Sequence, residues 1–315
     1  MSERRDRFAV CGQIAQDLVL RGDALPEPDE SVSVSELRRL LGGKGANQAV
    51  GLRQLGGSVA IVGVVGEDDI GERLVTALLH DAIDVCGVVR RGGSAVLVDV
   101  VDRASRRMLL EHVPPTSLLT VADVEASASA VSRAGTICLQ SQQPGDALSA
   151  ALMIARRADA TVALDGAPEP EVRDELLAGA DVVRADATEA EGLTGIAVSN
   201  LDSAHEACRW LLARGPRIAA VEVAGEGDLV VWEDGSAYRA HDDDETVVDR
   251  TGGGDGFFVG LVRGIANGWS MDRVADLAAR AAASTVARLG GRPELAHLVR
   301  SCRVIGSQNG QMSGM

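Results

Sequence analysis

A run of three glycines followed by an aspartate, Gly252 to Asp255, has the residue types that point most directly to chemistry. Consecutive glycines let backbone N–H groups converge on one point, and the helix predicted to follow adds the positive end of its dipole. Such a turn holds a phosphate, or the charge on a phosphoryl group in transfer. Asp255 is then either the N-cap of that helix or a general base that takes a proton from a hydroxyl, and the run alone favours neither.

A second glycine-rich run, Gly42-Gly43-Lys44-Gly45-Ala46-Asn47, stands before another predicted helix. Its glycines let a ligand approach the backbone, while Lys44 and Asn47 share the first helical turn and offer hydrogen-bond donors to hydroxyl groups. Lys44 is the single lysine among 31 basic residues. Unless it is a chance survivor in an arginine-rich composition, a compact ammonium group is needed at this position.

Short β-branched runs alternate with Ala- and Leu-rich stretches along most of the chain. Strands are predicted at 59–65, 136–140, 161–165, 181–184, 218–223 and 229–232, and helices at 44–55, 70–83, 121–134, 145–158, 202–214, 255–267 and 271–289. This alternation indicates βαβ units. We therefore expect a doubly wound α/β fold, with a mostly parallel sheet flanked by helices and ligands bound beyond the carboxyl ends of the strands.

Two segments, at about 15–40 and 94–113, interrupt the alternation. The first contains a proline turn and alternating residues, and the second is typical of a β-hairpin. Both are predicted to form a small β-sheet lid on a single domain that covers 1–305. The polar, Gly-rich segment 306–315 is predicted to be a disordered tail, and the acidic run 242–245 a solvated turn.

Composition excludes several classes of protein. Acidic residues outnumber basic ones by 46 to 31, and the formal net charge of −15 disfavours binding to nucleic acid or anionic membranes. No signal peptide follows the charged N-terminus, and no stretch approaches the ~18 apolar residues of a membrane span. The five scattered cysteines are expected to be buried, reduced thiols, so a soluble cytoplasmic protein is predicted. The run before Asp255 lacks the ending of a P-loop, and no dinucleotide fingerprint follows the first strand.

The two glycine-rich runs together resemble the two signatures of the ribokinase-like (PfkB-type) carbohydrate kinase family. The run at Gly42 to Asn47 resembles the family pattern Gly-Gly-Lys-Gly-x-Asn, and the run that contains Gly252 to Asp255, about 200 residues further on, resembles Asp-Thr-x-Gly-Ala-Gly-Asp-x-Phe. The resemblance implies a doubly wound α/β fold with a β-sheet lid and an ATP-dependent phosphotransferase that acts on a hydroxyl of a small carbohydrate. It also implies that Asp255 is the general base, with an anion hole at Gly252, Gly253 and Gly254.

Further roles follow from the same resemblance, residue by residue. The residues implied to hold the sugar are Asp17, Gly43, Lys44, Asn47 and Gln142. Those implied to contact the nucleotide are Asp186, Glu222, Gly225, Gly227 and Gly254. Glu189 is implied to meet Mg²⁺ through water. A monovalent cation such as K⁺ is implied near the anion hole, at Asp249, Thr251, Thr285, Arg288 and Gly290. The lid is implied to pair two subunits into a homodimer, because pairing covers an exposed sheet edge.

The chain departs from the ribokinase pattern mainly in the residues implied to contact the substrate. Ala15 stands where Asn is usual, Gln142 where Glu is usual, and Asp186 where Asn is usual. Glu294 replaces a smaller polar residue beside the cation loop. Loss of hydrogen-bonding partners can change specificity by orders of magnitude. A 2-keto-3-deoxygluconate-type kinase, a nucleoside kinase and a non-catalytic sugar- or nucleotide-sensing relative therefore remain as alternatives.

Overall fold

A central β-sheet carries the main body of the protein, whose computed structural model describes residues 2–241 and 247–299. The strands, in chain order, are β1 (Arg7–Cys11), β2 (Ala15–Gly22), β3 (Val34–Gly42), β4 (Ser58–Val65), β5 (Asp84–Arg90), β6 (Ala95–Val101), β7 (Arg107–His112), β8 (Thr136–Gln140), β9 (Thr161–Asp165), β10 (Val182–Ala185), β11 (Ile218–Val223), β12 (Gly227–Trp232) and β13 (Gly235–Ala240). The central sheet has nine strands in these ranges, in the order β13-β12-β11-β10-β9-β8-β1-β4-β5. In this sheet the β11–β12 and β12–β13 pairs are antiparallel, and the other pairs are parallel.

Helices cover both faces of this sheet. They are α1 (Ser2–Arg5), α2 (Lys44–Gln54), α3 (Asp69–His80), α4 (Val121–Ala126), α5 (Ala128–Arg133), α6 (Gly145–Arg157), α7 (Pro170–Gly179), α8 (Ala187–Thr194), α9 (Leu201–Leu212), α10 (Gly253–Ala266) and α11 (Met271–Val286), with a 3₁₀ turn at Pro115–Ser117. Side chains alternate along β1, so Ala9 and Cys11 join the core under α4 to α9, whereas Phe8 and Val10 join the core under α2, α3, α10 and α11. The predicted doubly wound α/β fold is confirmed.

The second sheet, β3-β2-β6-β7, is the predicted lid. Its strands come from both segments that interrupt the alternation, and β2 pairs in parallel with β6. Asp17 lies in the middle of β2, opposite Leu40 on one side and Leu97 on the other. The lid therefore contains Asp17, one of the residues implied by the sequence to hold the sugar.

Helices α10 and α11 approach each other closely because α10 is glycine-rich. A Cβ added to Gly260 would lie 2.6 Å from the Ala278 Cα, and one added to Gly256 would lie 2.6 Å from the Thr285 hydroxyl. Such distances exclude larger side chains unless the helices separate. This packing fixes the beginning of α10, where the first glycine-rich run lies.

Several local predictions differ from the structure. The helix predicted at 121–134 is broken at Ser127 into α4 and α5, and α7, α8, β5 and β13 were not predicted. Cys11, Cys138 and Cys208 are buried, but Cys86 is exposed, so the expectation of burial is wrong there. The turn at 242–245, the tail at 306–315 and Cys302 lie outside the described residues. None of the helices in the described ranges has the length and hydropathy that a bilayer-spanning segment requires.

Candidate active site

Asp255 lies in the first turn of α10 and does not cap that helix. The N-cap is Gly252, whose φ of 76° is left-handed. A Cβ added to Gly252 would lie 2.2 Å from the carbonyl oxygen of Gly291, so only glycine fits at this position. The N-cap interpretation of Asp255 is therefore wrong. The first N–H groups of α10 lack intrahelical acceptors and point out of its N-terminus.

Two amide side chains of α2 hold the carboxylate of Asp255. Asn47 Nδ2 donates to Oδ2 at 3.1 Å, and Gln48 Nε2 donates to Oδ1 at 3.3 Å and also to Oδ2 of Asp165 at 2.9 Å. Burial raises the pKa of Asp255, and the positive charge of Lys44 and the two amides counteract only part of this effect. A carboxylate with a raised pKa in a fixed orientation is suited to accept a proton.

Lys44 forms a half-buried ion pair with Glu189 at the beginning of α8. The Nζ–Oε1 distance is 2.8 Å, and Oε2 of Glu189 accepts from the backbone N of Asp186 at 2.9 Å. Burial lowers the pKa of Lys44, but the charges of Asp165, Glu189 and Asp255 outweigh burial and raise it. Asp186 is the N-cap of α8, where its Oδ1 accepts from the backbone N of Glu189 at 2.8 Å.

A pocket beneath the lid brings together residues from distant parts of the chain. Those predicted for the sugar or the base that line it are Asp17, Gly43, Lys44, Asn47, Gln142, Gly252 and Asp255. The lid adds residues that sequence reasoning missed, namely Leu97, Asp99, Arg107, Leu109 and Glu111. The pocket is polar on the main-body side and carries one arginine on the lid side.

Asp17 is a buried acceptor in this pocket. Burial and the nearby charges of Asp99 and Asp255 raise its pKa to about 7. Its carboxylate packs against Gly42, where an added Cβ would lie 2.0 Å from the carboxyl carbon. The Oδ1 atom of Asp17 is buried without a hydrogen-bond partner in the described residues. A hydroxyl group in the pocket would supply that missing donor.

A second cavity lies on the other side of the beginning of α10. Of the residues predicted for the nucleotide or the anion hole, Glu222, Gly225, Gly253 and Gly254 line it, whereas Gly227 and Asp186 do not. Further lining residues are Arg184, Asp228, Val247, Phe257, Ala282 and Val286. His241 also lines this cavity, and its Nε2 lies 3.3 Å from Oδ2 of Asp228. Burial raises the pKa of Glu222.

Three of the residues predicted for a monovalent cation meet at a buried carboxylate. Asp249 is fully buried, and its oxygens accept from the backbone N of Thr251 at 2.9 Å and of Gly290 at 2.8 Å. The Thr251 hydroxyl lies between Asp249 and Asp99 of the lid. No cationic side chain within 2–241 or 247–299 pairs with Asp249.

The other two members of the cation set have partners of their own. The Thr285 hydroxyl donates to the carbonyl of Ala281 at 2.8 Å. Arg288 pairs with Glu294 on the surface. Only the backbone next to these residues is therefore a candidate for ligation. No group of three or more His, Cys, Asp or Glu side chains in the described part of the chain could hold a metal ion.

Comparison with known proteins identifies the family of this protein. The family model "pfkB family carbohydrate kinase" matches residues 5–297. The chain is 27% identical over 293 residues to the ribokinase of Haemophilus influenzae, and the match covers 92% of this chain and 95% of that protein. It is 30% identical over 290 residues to the ATP-dependent ribose-1-phosphate kinase of Halopiger xanaduensis, and the match covers 91% of this chain and 94% of that protein.

A solved structure shares the fold. The structure of Arabidopsis thaliana ribokinase complexed with ribose and ATP has a TM-score of 0.76 and 22% sequence identity, and the match covers 94% of this chain and 97% of that one. The family match and the ribokinase relatives indicate a phosphotransferase with a hydroxyl acceptor. The chain belongs to the PfkB family of carbohydrate kinases.

Several residues at the site were not singled out from the sequence. Gln48 follows Asn47 directly in the second glycine-rich run, and Asp165 and Arg184 end strands that were predicted. Polar residues at the carboxyl ends of parallel strands are a usable signal, and an arginine within the apolar run of β10 is a stronger one. Asp99 and Arg107 of the lid carry no comparable signal, because strand residues alternate between faces and the sequence does not show which face meets the site.

Proposed function

We propose that this protein is an ATP-dependent sugar kinase in which Asp255 is the general base. The observation that carries the proposal is the position of the beginning of α10 between the two cavities. Gly252 and Asp255 line the pocket beneath the lid, while Gly253 and Gly254 line the cleft on the other side. A phosphoryl group held by the N-terminal amides of α10 would thus lie beside a hydroxyl held in the pocket.

The residues around Asp255 account for each part of the reaction. Asp17 and Asn47 position the sugar, and a hydroxyl loses its proton to Asp255 as its oxygen attacks the terminal phosphorus of ATP. The P–O bond to ADP breaks with its electron pair on the ADP oxygen. The amides at Gly253 and Gly254 stabilise the charge on the transferred group. Closure of the lid excludes water, which limits ATP hydrolysis.

The two proposed cations fit the donors to different degrees. Mg²⁺ bound with ATP would neutralise phosphate charge, and Glu189 would meet it through water because both Glu189 oxygens already accept hydrogen bonds. A monovalent cation fits beside Asp249, a buried carboxylate whose negative charge has no counter-charge among the described side chains. It would hold the loop that begins α10.

The test is sugar-dependent ADP formation by the wild type and by Asp255→Asn. Loss of a general base costs roughly 10²-fold or more, so the variant should retain at most about one hundredth of the activity. The matched control is Asp123→Asn, a buried carboxylate that pairs with Arg91, and neither residue lines either cavity. Activity above about a tenth of the wild type in Asp255→Asn would refute the assignment. Ligand-dependent thermal stabilisation without turnover in the wild type would instead identify a sensor.

The substrate is a small carbohydrate, and one residue favours a second candidate class. Arg107 faces the pocket from the lid, with Nε 3.5 Å from Oδ1 of Asp99. A guanidinium there would recognise a carboxylate or a phosphate on the sugar, as in 2-keto-3-deoxygluconate or ribose 1-phosphate. A panel of these two with ribose, fructose and nucleosides decides the class. Arg107→Gln should raise KM for the anionic sugars alone, because the charged side chains that the lid then contributes to the pocket, among them Asp99 and Glu111, are all acidic.

The proposed homodimer is supported by the outer strands of the lid. Val34 and Leu37 on β3, with Leu109 and Leu110 on β7, are large apolar side chains exposed to solvent in the single chain. Exposed apolar residues on sheet edges mark surfaces that pair. Two lids would cover each other's edges.

A further inference from the structure

Arg184, at the end of β10, places a buried guanidinium against the glycine-rich turn. Its side chain is only 5% exposed. A Cβ added to Gly254 would lie 2.6 Å from Nη2 and 2.7 Å from Nη1, so the guanidinium packs on the Gly254 backbone. Arg184 and Gly254 both line the cleft on the nucleotide side. The charge thus lies beside the amides to which an anion is expected to bind.

Among the residues that the structure describes, this guanidinium has charged neighbours but no close hydrogen-bond partner. Nη1 is 3.5 Å from Oδ1 of Asp165 and 3.8 Å from Oε2 of Glu189, and Nη2 is 3.8 Å from Oε2 of Glu222. Paired Arg–carboxylate groups lie at about 2.8 Å. Within 2–241 and 247–299 the Nε atom of Arg184 is buried without a partner. A buried donor without an acceptor is costly, so the side chain is arranged for an acceptor that binds.

The surrounding carboxylates keep Arg184 charged without occupying its donors. Burial lowers its pKa, but Asp165, Glu189 and other carboxylates raise it by more. Arg91 provides a contrast, because its guanidinium donates to Asp123 and to the carbonyls of Leu118 and Thr116 at 2.8–3.2 Å. A structural arginine of this protein thus uses its donors at short distance, whereas Arg184, within the described ranges, has only ion pairs at 3.5–3.8 Å and presents its planar fork beside the anion hole.

We propose that Arg184 is a catalytic residue that contacts the oxygens of the transferred phosphoryl group and stabilises their charge during transfer. This inference rests on the proposed kinase function. Arg184 remains protonated throughout, because the hydroxyl proton goes to Asp255 and the electron pair of the broken P–O bond goes to ADP. The planar guanidinium matches a phosphoryl group in two contacts, which a lysine cannot make. Arginines in this role are worth about 10³–10⁵ in kcat.

The experiment compares Arg184→Lys and Arg184→Met with the wild type and with Arg91→Lys. We expect kcat to fall roughly 10²-fold in Arg184→Lys and about 10³-fold or more in Arg184→Met. KM for ATP and the Kd for ADP should change little by comparison. Arg184→Lys preserves the charge opposite three carboxylates, so it keeps the test valid if Arg184→Met does not fold. Arg91→Lys should lower Tm and leave kcat unchanged.

A second readout does not depend on turnover. Aluminium fluoride with ADP mimics a phosphoryl group in transfer, and it should tighten ADP binding to the wild type but not to either Arg184 variant. If both Arg184 variants keep this tightening, or lose only Tm and ADP affinity while kcat is retained, Arg184 is structural and the inference is overturned. If the wild type phosphorylates no sugar yet shows the arginine-dependent tightening, the proposed function fails while the assignment of Arg184 stands.

Discussion

Replacement of Asp17 by asparagine should stabilise the folded protein above neutral pH while it weakens sugar binding. Asp17 is 4% exposed, and burial with the charges of Asp99 and Asp255 raises its pKa from 3.8 to about 7. This displacement corresponds to ~4 kcal/mol, the free energy that keeping the carboxylate charged in the fold costs at high pH. Asparagine has nearly the same shape and no charge, so it removes most of this cost.

The sign of the pH dependence follows from the two pKa values of Asp17. Its pKa in the folded protein, about 7, lies above its ordinary value of 3.8, so the folded state binds the proton more tightly. The gain from Asp17→Asn should therefore be small below about pH 4 and grow between about pH 4 and 7. Above about pH 7 it should be constant.

The assay is urea unfolding of the wild type and Asp17→Asn between pH 4 and 8. The control is Asp68→Asn at the beginning of α3, where hydrogen bonds from Ser94 and Gly71 outweigh burial and lower the pKa of Asp68. Asp68→Asn should lose stability by nearly the same amount across this range, because a pKa lowered from 3.8 confines the pH dependence to values below about pH 4. A gain in Asp17→Asn that is equal at every pH, or a loss at pH 8, would refute the reasoning. The same variant should raise KM for the sugar about 10-fold or more, because a buried hydrogen bond to substrate is lost.

Three other substitutions test the packing, the dimer and the cation. Gly260→Ala should lower the free energy of unfolding by about 1–3 kcal/mol, because the new Cβ would clash with the backbone of α11. Gly192→Ala on α8, where no atom lies close to the new Cβ, should instead raise it by up to about 1 kcal/mol. Urea titrations measure both changes. Leu110→Glu on the outer lid strand should shift the protein from dimer to monomer in light scattering, and a wild type that is already monomeric would contradict the pairing. Asp249→Asn should abolish activation of sugar phosphorylation by K⁺, and a wild type whose rate is the same in K⁺ and in a bulky organic cation would count against the site.

Much of the fold could be predicted from the sequence because its signals are local. The strands 136–140, 161–165 and 218–223 match β8, β9 and β11 to the residue, since each is a short apolar run between clear breaks. The prediction of one helix at 121–134 is wrong because the helix is interrupted at Ser127, between α4 and α5, and hydrophobic periodicity does not reveal this interruption. The edge strand β5 was missed because its half-exposed residues dilute the pattern.

The sequence by itself determined the two glycine-rich runs and, through them, the family and the residue types at the site. Only the tertiary structure decided how they meet. Asn47 and Asp255 are 208 residues apart, yet their side chains are hydrogen-bonded. Likewise, only the packing of β9, β10 and α10 places the guanidinium of Arg184 beside Gly254 and 3.5 Å from Asp165. Backbone propensity depends on neighbours in the chain, whereas a site depends on distances between elements that the folded core alone sets.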